Sequence, residues 1–112
     1  MTNNIEEKIK HVLSDPTLSA IKTALEKDHA IECLFMLYID KGKWKNAQDF
    51  TTQNGLTISA TTFRARMIEF EKQGLAKSEI IDPLKRYYVK TELGEKAANL
   101  MLELFEKIEK QP

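Results

Sequence analysis

Apolar residues recur along this chain with periods that divide it into elements. Ile5, Ile9, Val12 and Leu13 fall on one face of a helix. Asp15-Pro16 follows as an N-cap with proline at the first helical position, so a second helix starts there, with Leu18, Ile21 and Leu25 on one side. Both N-terminal helices are amphipathic and need a cover. From Ala30 to Ile39 the residues Ile31, Cys33, Leu34, Phe35, Met36, Leu37 and Ile39 surround the axis, which predicts a central core helix. Gly42, within Asp40-Lys41-Gly42-Lys43, is expected to stop it. A short helix is then expected from an Asn46 N-cap, with Asp49 three residues on, to Gly55, with Ala47 and Phe50 inward.

Ser59 is a good N-cap, and Ile58 before it can staple to Phe63 at the fourth helical position. The helix so fixed buries Phe63, Met67 and Phe70 and ends at Gly74-Leu75. The period then changes. Leu75 to Ile81 and Arg86 to Thr91 are rich in Ile, Tyr and Val and predict a hairpin, joined by Asp82-Pro83-Leu84-Lys85 with its turn proline. Strict alternation puts Tyr88 and Lys90 on one face and Tyr87 and Val89 on the other, so either the Lys90 stem snorkels or the register slips. A last helix from Glu92 to Lys110, capped by Thr91, gathers Leu93, Ala97, Leu100, Met101, Leu104, Phe105 and Ile108 in an arc of roughly 140°. Ala98 and Leu102 widen that arc, which one small domain can scarcely cover. The expected fold is mainly α with a small β-hairpin, an α+β class. It divides into a helical extension over 1–28, a central unit over 29–91 and a C-terminal helix over 92–112.

At 112 residues the chain suits one hydrophobic core. No apolar run approaches the roughly 18 residues of a membrane span, so no membrane partner is expected. The first residues, Met1-Thr2-Asn3-Asn4, resemble no secretory leader, and a cytoplasmic location is the expectation. One cysteine and two histidines leave neither a disulfide nor a zinc cluster, so no metal and no cofactor are expected. Net charge is zero, yet it is unevenly spread. Residues 1–40 hold 4 Lys/Arg against 7 Asp/Glu, residues 41–90 hold 10 against 5, and residues 91–112 hold 3 against 5. A basic middle between acidic ends suits a nucleic-acid surface built from the middle segment.

Two stretches carry a family resemblance. Ser59-Ala60-Thr61-Thr62-Phe63-Arg64-Ala65-Arg66-Met67-Ile68-Glu69-Phe70-Glu71-Lys72-Gln73-Gly74-Leu75 looks like a recognition helix with its terminating Gly-Leu. Tyr87-Tyr88-Val89-Lys90-Thr91-Glu92-Leu93-Gly94 looks like the Tyr-Tyr-x-x-Thr-x-x-Gly exit from a wing. With the order helix, short helix, turn, helix, hairpin, helix, the chain from Ala30 onward resembles the winged helix-turn-helix regulators of the MarR, PadR and ArsR type. It departs from them in a Gly55-to-Ser59 turn about two residues longer than their commonest version. It departs again at Lys90, where they place a buried leucine. The resemblance implies a winged helix-turn-helix with N- and C-terminal dimerisation helices that binds double-stranded DNA as a homodimer.

If that holds, helical geometry turns Ala60, Thr61, Arg64, Ala65 and Ile68 away from the core and into the major groove, with Arg66 at the flank. Arg64 can make two hydrogen bonds to guanine, Thr61 can reach a base edge or methyl, and Ala60 and Ala65 allow close approach. Lys41, Lys43 and Lys45 before the short helix, and Lys85 with Arg86 in the hairpin, suit phosphates, as do Arg66, Thr57 and Ser59. Ser59 and Trp44 each have a plainer role available, as a cap and in packing. The last helix, with Ile5 and Ile9, is expected to bury its stripe against a second copy.

The sequence-level reading is therefore a transcriptional repressor. A plasmid-partition or centromere-binding protein of the same fold and a winged-helix module used only for protein contacts are the alternatives. No enzyme is expected. His29 and Cys33 lack a third ligand, Glu69 and Glu71 lie on different sides of a helix, and no phosphate-cradling glycine loop or nucleophile elbow is present. A redox role for Cys33 would need a charged, accessible setting, and its neighbours are apolar. Nothing in the sequence specifies a small-molecule effector.

Overall fold

Helix caps set the layout of the chain, which the computed structural model describes over residues 4–82 and 85–110. The elements run α1 (Asn4–Ser14), α2 (Pro16–Leu25), α3 (Ala30–Tyr38), α4 (Trp44–Gln53), α5 (Ala60–Lys72), β1 (Ala76–Asp82), β2 (Lys85–Lys90) and α6 (Glu92–Glu109). Among the described residues the fold is mainly α with one two-stranded antiparallel sheet, an α+β arrangement compatible with a winged helix. Asp15 caps α2 by accepting from the Leu18 N–H at 3.0 Å, with Pro16 at the first position as expected. Ser59 accepts from the Thr62 N–H at 3.1 Å, and the flanking Ile58 and Phe63 are both buried in the core.

Three successive helices close in the same way, with a left-handed residue and two reversed backbone bonds. α5 ends at Gly74 (φ 76°), where Leu75 N–H donates to Phe70 and Gly74 N–H to Glu71. α4 ends at Gly55 (φ 69°), where Leu56 N–H donates to Thr51. α3 ends differently from the expectation. Its left-handed residue is Asp40 (φ 66°), two positions before Gly42, and Lys41 N–H donates to Met36 at 2.7 Å. An aspartate tolerates this conformation better than most residues. Gly42 serves another purpose: a Cβ on it would lie 1.7 Å from the Tyr88 carbonyl oxygen, and its own oxygen accepts the Tyr88 N–H at 3.3 Å. The chain before α4 thus runs against β2. The Asn46 cap is also corrected, since α4 begins at Trp44 after Lys43 with no side-chain cap. The Trp44 ring packs on Phe63 at 5.4 Å, so burial of the indole, and not a polar cap, sets that helix start.

The hairpin keeps a regular register from Ala76 opposite Lys90 to Ile80 opposite Arg86, with an irregularity between Ile80 and Asp82. Pro83 and Leu84, the expected turn, lie outside the described residues. Tyr88 is buried, so strict alternation carries Lys90 inward. The register does not slip there, and the side chain snorkels. Lys90 Nζ donates to the Tyr38 carbonyl at 2.8 Å, lies 4.6 Å from the Tyr38 ring centre and stands 3.9 Å from Glu95.

The core is a single cluster around α3. Cys33, Leu34, Met36 and Leu37 meet Phe63, Met67 and Phe70 of α5, Leu75 and Tyr88 of the hairpin, and Ala98 of α6. Thr91 joins three elements. It accepts from the Gly94 N–H to cap α6, donates to the Gly74 carbonyl at 2.6 Å, and its own N–H reaches Leu75 at 3.2 Å. The threonine and glycine of the wing-exit pattern are therefore where the last helix crosses the end of α5.

Candidate nucleic-acid interface

A helix that buries residues three and four apart must expose those between, and α5 obeys this. Phe63, Met67 and Phe70 are buried, Thr61, Arg64 and Ile68 are exposed, and Ala65 is half-buried. One expected member of the outer face lies elsewhere. Ala60 precedes Phe63 by three positions and Met67 by seven, which places it on the core side of the helix, and it is half-buried. Arg66, expected at the flank of that face, is engaged within the protein. Its side chain is only 12 % exposed, donating to the Asp28 carbonyl at 3.0 Å and to Glu69 at 3.1 Å. It ties α5 to the connection between α2 and α3, a partner invisible to any local pattern. Lys72, in contrast, is exposed and continues the Thr61, Ala65, Ile68 line four residues beyond Ile68, a spacing legible in the sequence.

Cations lie on the elements that pack against α5, namely α4 and the hairpin. Lys45 is exposed in the first turn of α4, whose Trp44 packs on α5 through Phe63. Lys43 is exposed, with Nζ 5.1 Å from the ring centre of Tyr87. Lys41 is half-buried. Arg86 is exposed on β2 and shares a face with exposed Ile80, its cross-strand partner; the side chain of Lys85 lies outside the described residues. The hairpin is held against α5 by Glu71, which accepts from both the N–H and the hydroxyl of Ser78 at 3.2 and 2.6 Å. Tyr87 donates to Glu79 across the strands, and that bond raises the Tyr87 phenol above its ordinary 10.0. Thr57 is exposed, and Ser59, also exposed, uses its hydroxyl in the cap and in a 3.0 Å bond to Thr62.

Residues expected at a dimer interface fall into two groups. Ala97 and Met101 are half-buried beside Gly94 and Ala98, which seat the first half of α6 on the core. Leu93, Leu100, Leu104, Phe105 and Ile108 are exposed, as are Ile5 and Ile9. The N-terminal helices of the same chain leave that stripe uncovered.

Cys33 is fully buried, and burial first, then the charge of Glu32, push its thiol up to about 12 against the lowering effect of Arg66. We expect no reaction with Ellman's reagent in native buffer at pH 8 and one thiol per chain after addition of denaturant. Rapid native labelling would show Cys33 to be accessible. Because the folded thiol holds its proton more tightly than an unfolded one at 9.0, stability is unaffected below pH 9 and falls as the pH rises from 9 toward 12. His29 Nδ1 lies 2.7 Å from Glu32, and among the described residues no cluster of three metal-ligating side chains occurs. No helix among them is long and apolar enough to cross a membrane.

No protein-family model, no curated protein and no solved structure matches this chain.

Proposed function

We propose that the chain is a sequence-specific double-stranded DNA-binding protein of the winged helix-turn-helix type, acting as a homodimer in transcriptional regulation as a repressor. One observation carries the reading. The face of α5 opposite its buried phenylalanines presents Thr61, Arg64, Ile68 and Lys72 to solvent, while the other arginine of that helix is engaged inside the protein. A helix presenting a solvent-facing guanidinium among small side chains fits a major groove, where an arginine can grip guanine through two parallel hydrogen bonds. Lys43 and Lys45 beside α4 and Arg86 on the hairpin would neutralise phosphates, which positions the helix without specifying sequence. Thr61 adds a hydroxyl and a methyl within reach of base edges, and Ala65 lets the backbone approach. Two copies related by a two-fold axis would set their α5 helices in successive major grooves about one helical turn, roughly 34 Å, apart. Such a dimer represses by occupying its site and excluding other proteins from it.

Retardation of random genomic fragments in a native gel, at low and moderate salt, tests the reading. Salt-sensitive binding is expected, and Arg86→Ala should weaken all fragments alike while flattening the salt dependence by about one phosphate contact. A chain that retards no DNA at low salt is instead a module for protein contacts. Occupation of regularly repeated sites by many copies would move the assignment from repressor to partition protein.

A further inference from the structure

Two apolar surfaces of this chain lie open to solvent. Every residue of α1 is exposed, and Ile5, Ile9, Val12 and Leu13 keep 69, 53, 40 and 57 % of their surface. A helix of 11 residues is marginal in water unless something packs on it. The far end of α6 is in the same position, with every residue from Leu102 to Lys110 exposed. Phe105 follows buried Ala98 by seven residues and so lies on the line that faces the core earlier in the helix, yet it is 47 % exposed. The helix has not turned; the domain beneath it has ended. This overhang leaves the molecule 57 Å long with a radius of gyration of 15.9 Å, against about 13 Å for a compact domain of this length.

The size of these surfaces indicates what covers them. The exposed large apolar side chains of α1 and those of the α6 overhang each offer on the order of 400 Å², each as large as the main patch on a typical monomer. Summed and doubled over two copies this is about 1,600 Å², the area of a standard stable interface. The shapes correspond as well. α1 and α2, joined at Asp15-Pro16, form a groove lined by Ile5, Lys8, Ile9, Val12, Leu13 and Lys22. At 1.5 Å per residue α1 is about 16 Å long and the overhang about 13 Å, so one can lie along the other. The groove carries Lys8 and Lys22, the latter paired with Glu26 at 2.7 Å, and the overhang carries Glu103, Glu106 and Glu109 together with Lys107 and Lys110, so the correspondence is one of apolar shape and length.

We propose that the overhang of α6 seats in the α1–α2 groove of a second copy, and that the exchange is reciprocal about a two-fold axis. The inference rests on the homodimer reading above and specifies its contact. Pairing α6 with α6 alone would leave α1 bare on both copies, and pairing α1 with α1 would leave α6 bare. The exchanged contact, made twice under two-fold symmetry, covers all four surfaces with a single kind of interface.

Sedimentation equilibrium of the full chain and two charge variants tests the exchange. The wild type should behave as a dimer of 12.9 kDa chains. Ile9→Glu and Leu104→Lys change exposed positions and should fold with unaltered circular dichroism. Each alone should raise the dissociation constant by about 100-fold or more, because each buries an unpaired charge twice. Mixed one to one, they should dimerise again. One contact is then wild type, and the other sets the introduced carboxylate of one variant against the introduced ammonium of its partner.

An Ile9→Glu variant that stays dimeric while Leu104→Lys dissociates would establish α6–α6 pairing and overturn the exchange, leaving the homodimer reading intact. Failure of the mixture to dimerise would overturn the exchange equally. A wild type that sediments as a monomer would overturn both, and DNA binding is scored separately by gel retardation.

Discussion

Gly94→Ala is expected to lower the thermal midpoint by about 10–20 °C, corresponding to a loss of roughly 3 kcal/mol for a domain of this length. The reason is a backbone-to-backbone contact that no rotamer can relieve. A Cβ at position 94 would sit 2.0 Å from the carbonyl oxygen of Leu75 and 3.0 Å from its carbon. That carbonyl cannot move away freely, because it accepts the Thr91 N–H, and the Thr91 hydroxyl bonds to Gly74. α6 must therefore back off from the core, uncovering Ala98. Gly74→Ala provides the contrast. A Cβ there meets nothing within 4 Å, and only the left-handed backbone opposes it, so a loss of about 1 kcal/mol is expected. Circular dichroism at 222 nm during heating measures both. A midpoint for Gly94→Ala within a degree or two of the wild type would show that α6 does not cross the start of β1 at this distance.

Arg64→Ala is expected to change which DNA is bound more than how tightly DNA in general is bound. Removing a bidentate guanine contact should cost about 1–3 kcal/mol on the preferred site, some 5- to 150-fold in affinity, and relax preference at one or two base pairs. Non-specific affinity and its salt slope should change far less. Arg86→Ala should do the reverse, weakening every fragment by a similar factor. Selection from a random pool, followed by sequencing, reads the preference, and titration at two salt concentrations reads the slope. Equal loss on all sequences from Arg64→Ala would mean that this side chain contacts only the phosphate backbone. Arg66→Ala is a useful companion, because an arginine held by Asp28 and Glu69 should affect folding stability and leave the preference of the folded fraction unchanged.

Arg64 and Arg66 mark where a local reading of sequence stops. Both follow from the same helical period, and both are plausible phosphate or base ligands by residue type. Arg64 exposes its side chain because it lies beside Thr61 and Ile68 on the outer side of α5 and no distant partner among the described residues draws it inward. Arg66 is drawn in by a carbonyl 38 residues earlier in the chain, brought near by the packing of α2 and α3 on α5. Lys90 is similar: alternation identified the conflict correctly, and the resolution depended on the Tyr38 carbonyl and ring being close enough to receive the ammonium group.

Residue order alone specified the caps at Asp15, Ser59 and Thr91, the glycine stops at Gly55 and Gly74, and the buried faces of α3 and α5. These depend on contacts within four or five residues, which hydrogen-bond geometry and side-chain periodicity dictate locally. The close approaches at Gly42 and Gly94, the inward capture of Arg66 and the bare overhang of α6 required the assembled molecule. They depend on where distant backbone lies, and only packing of the whole core sets those distances.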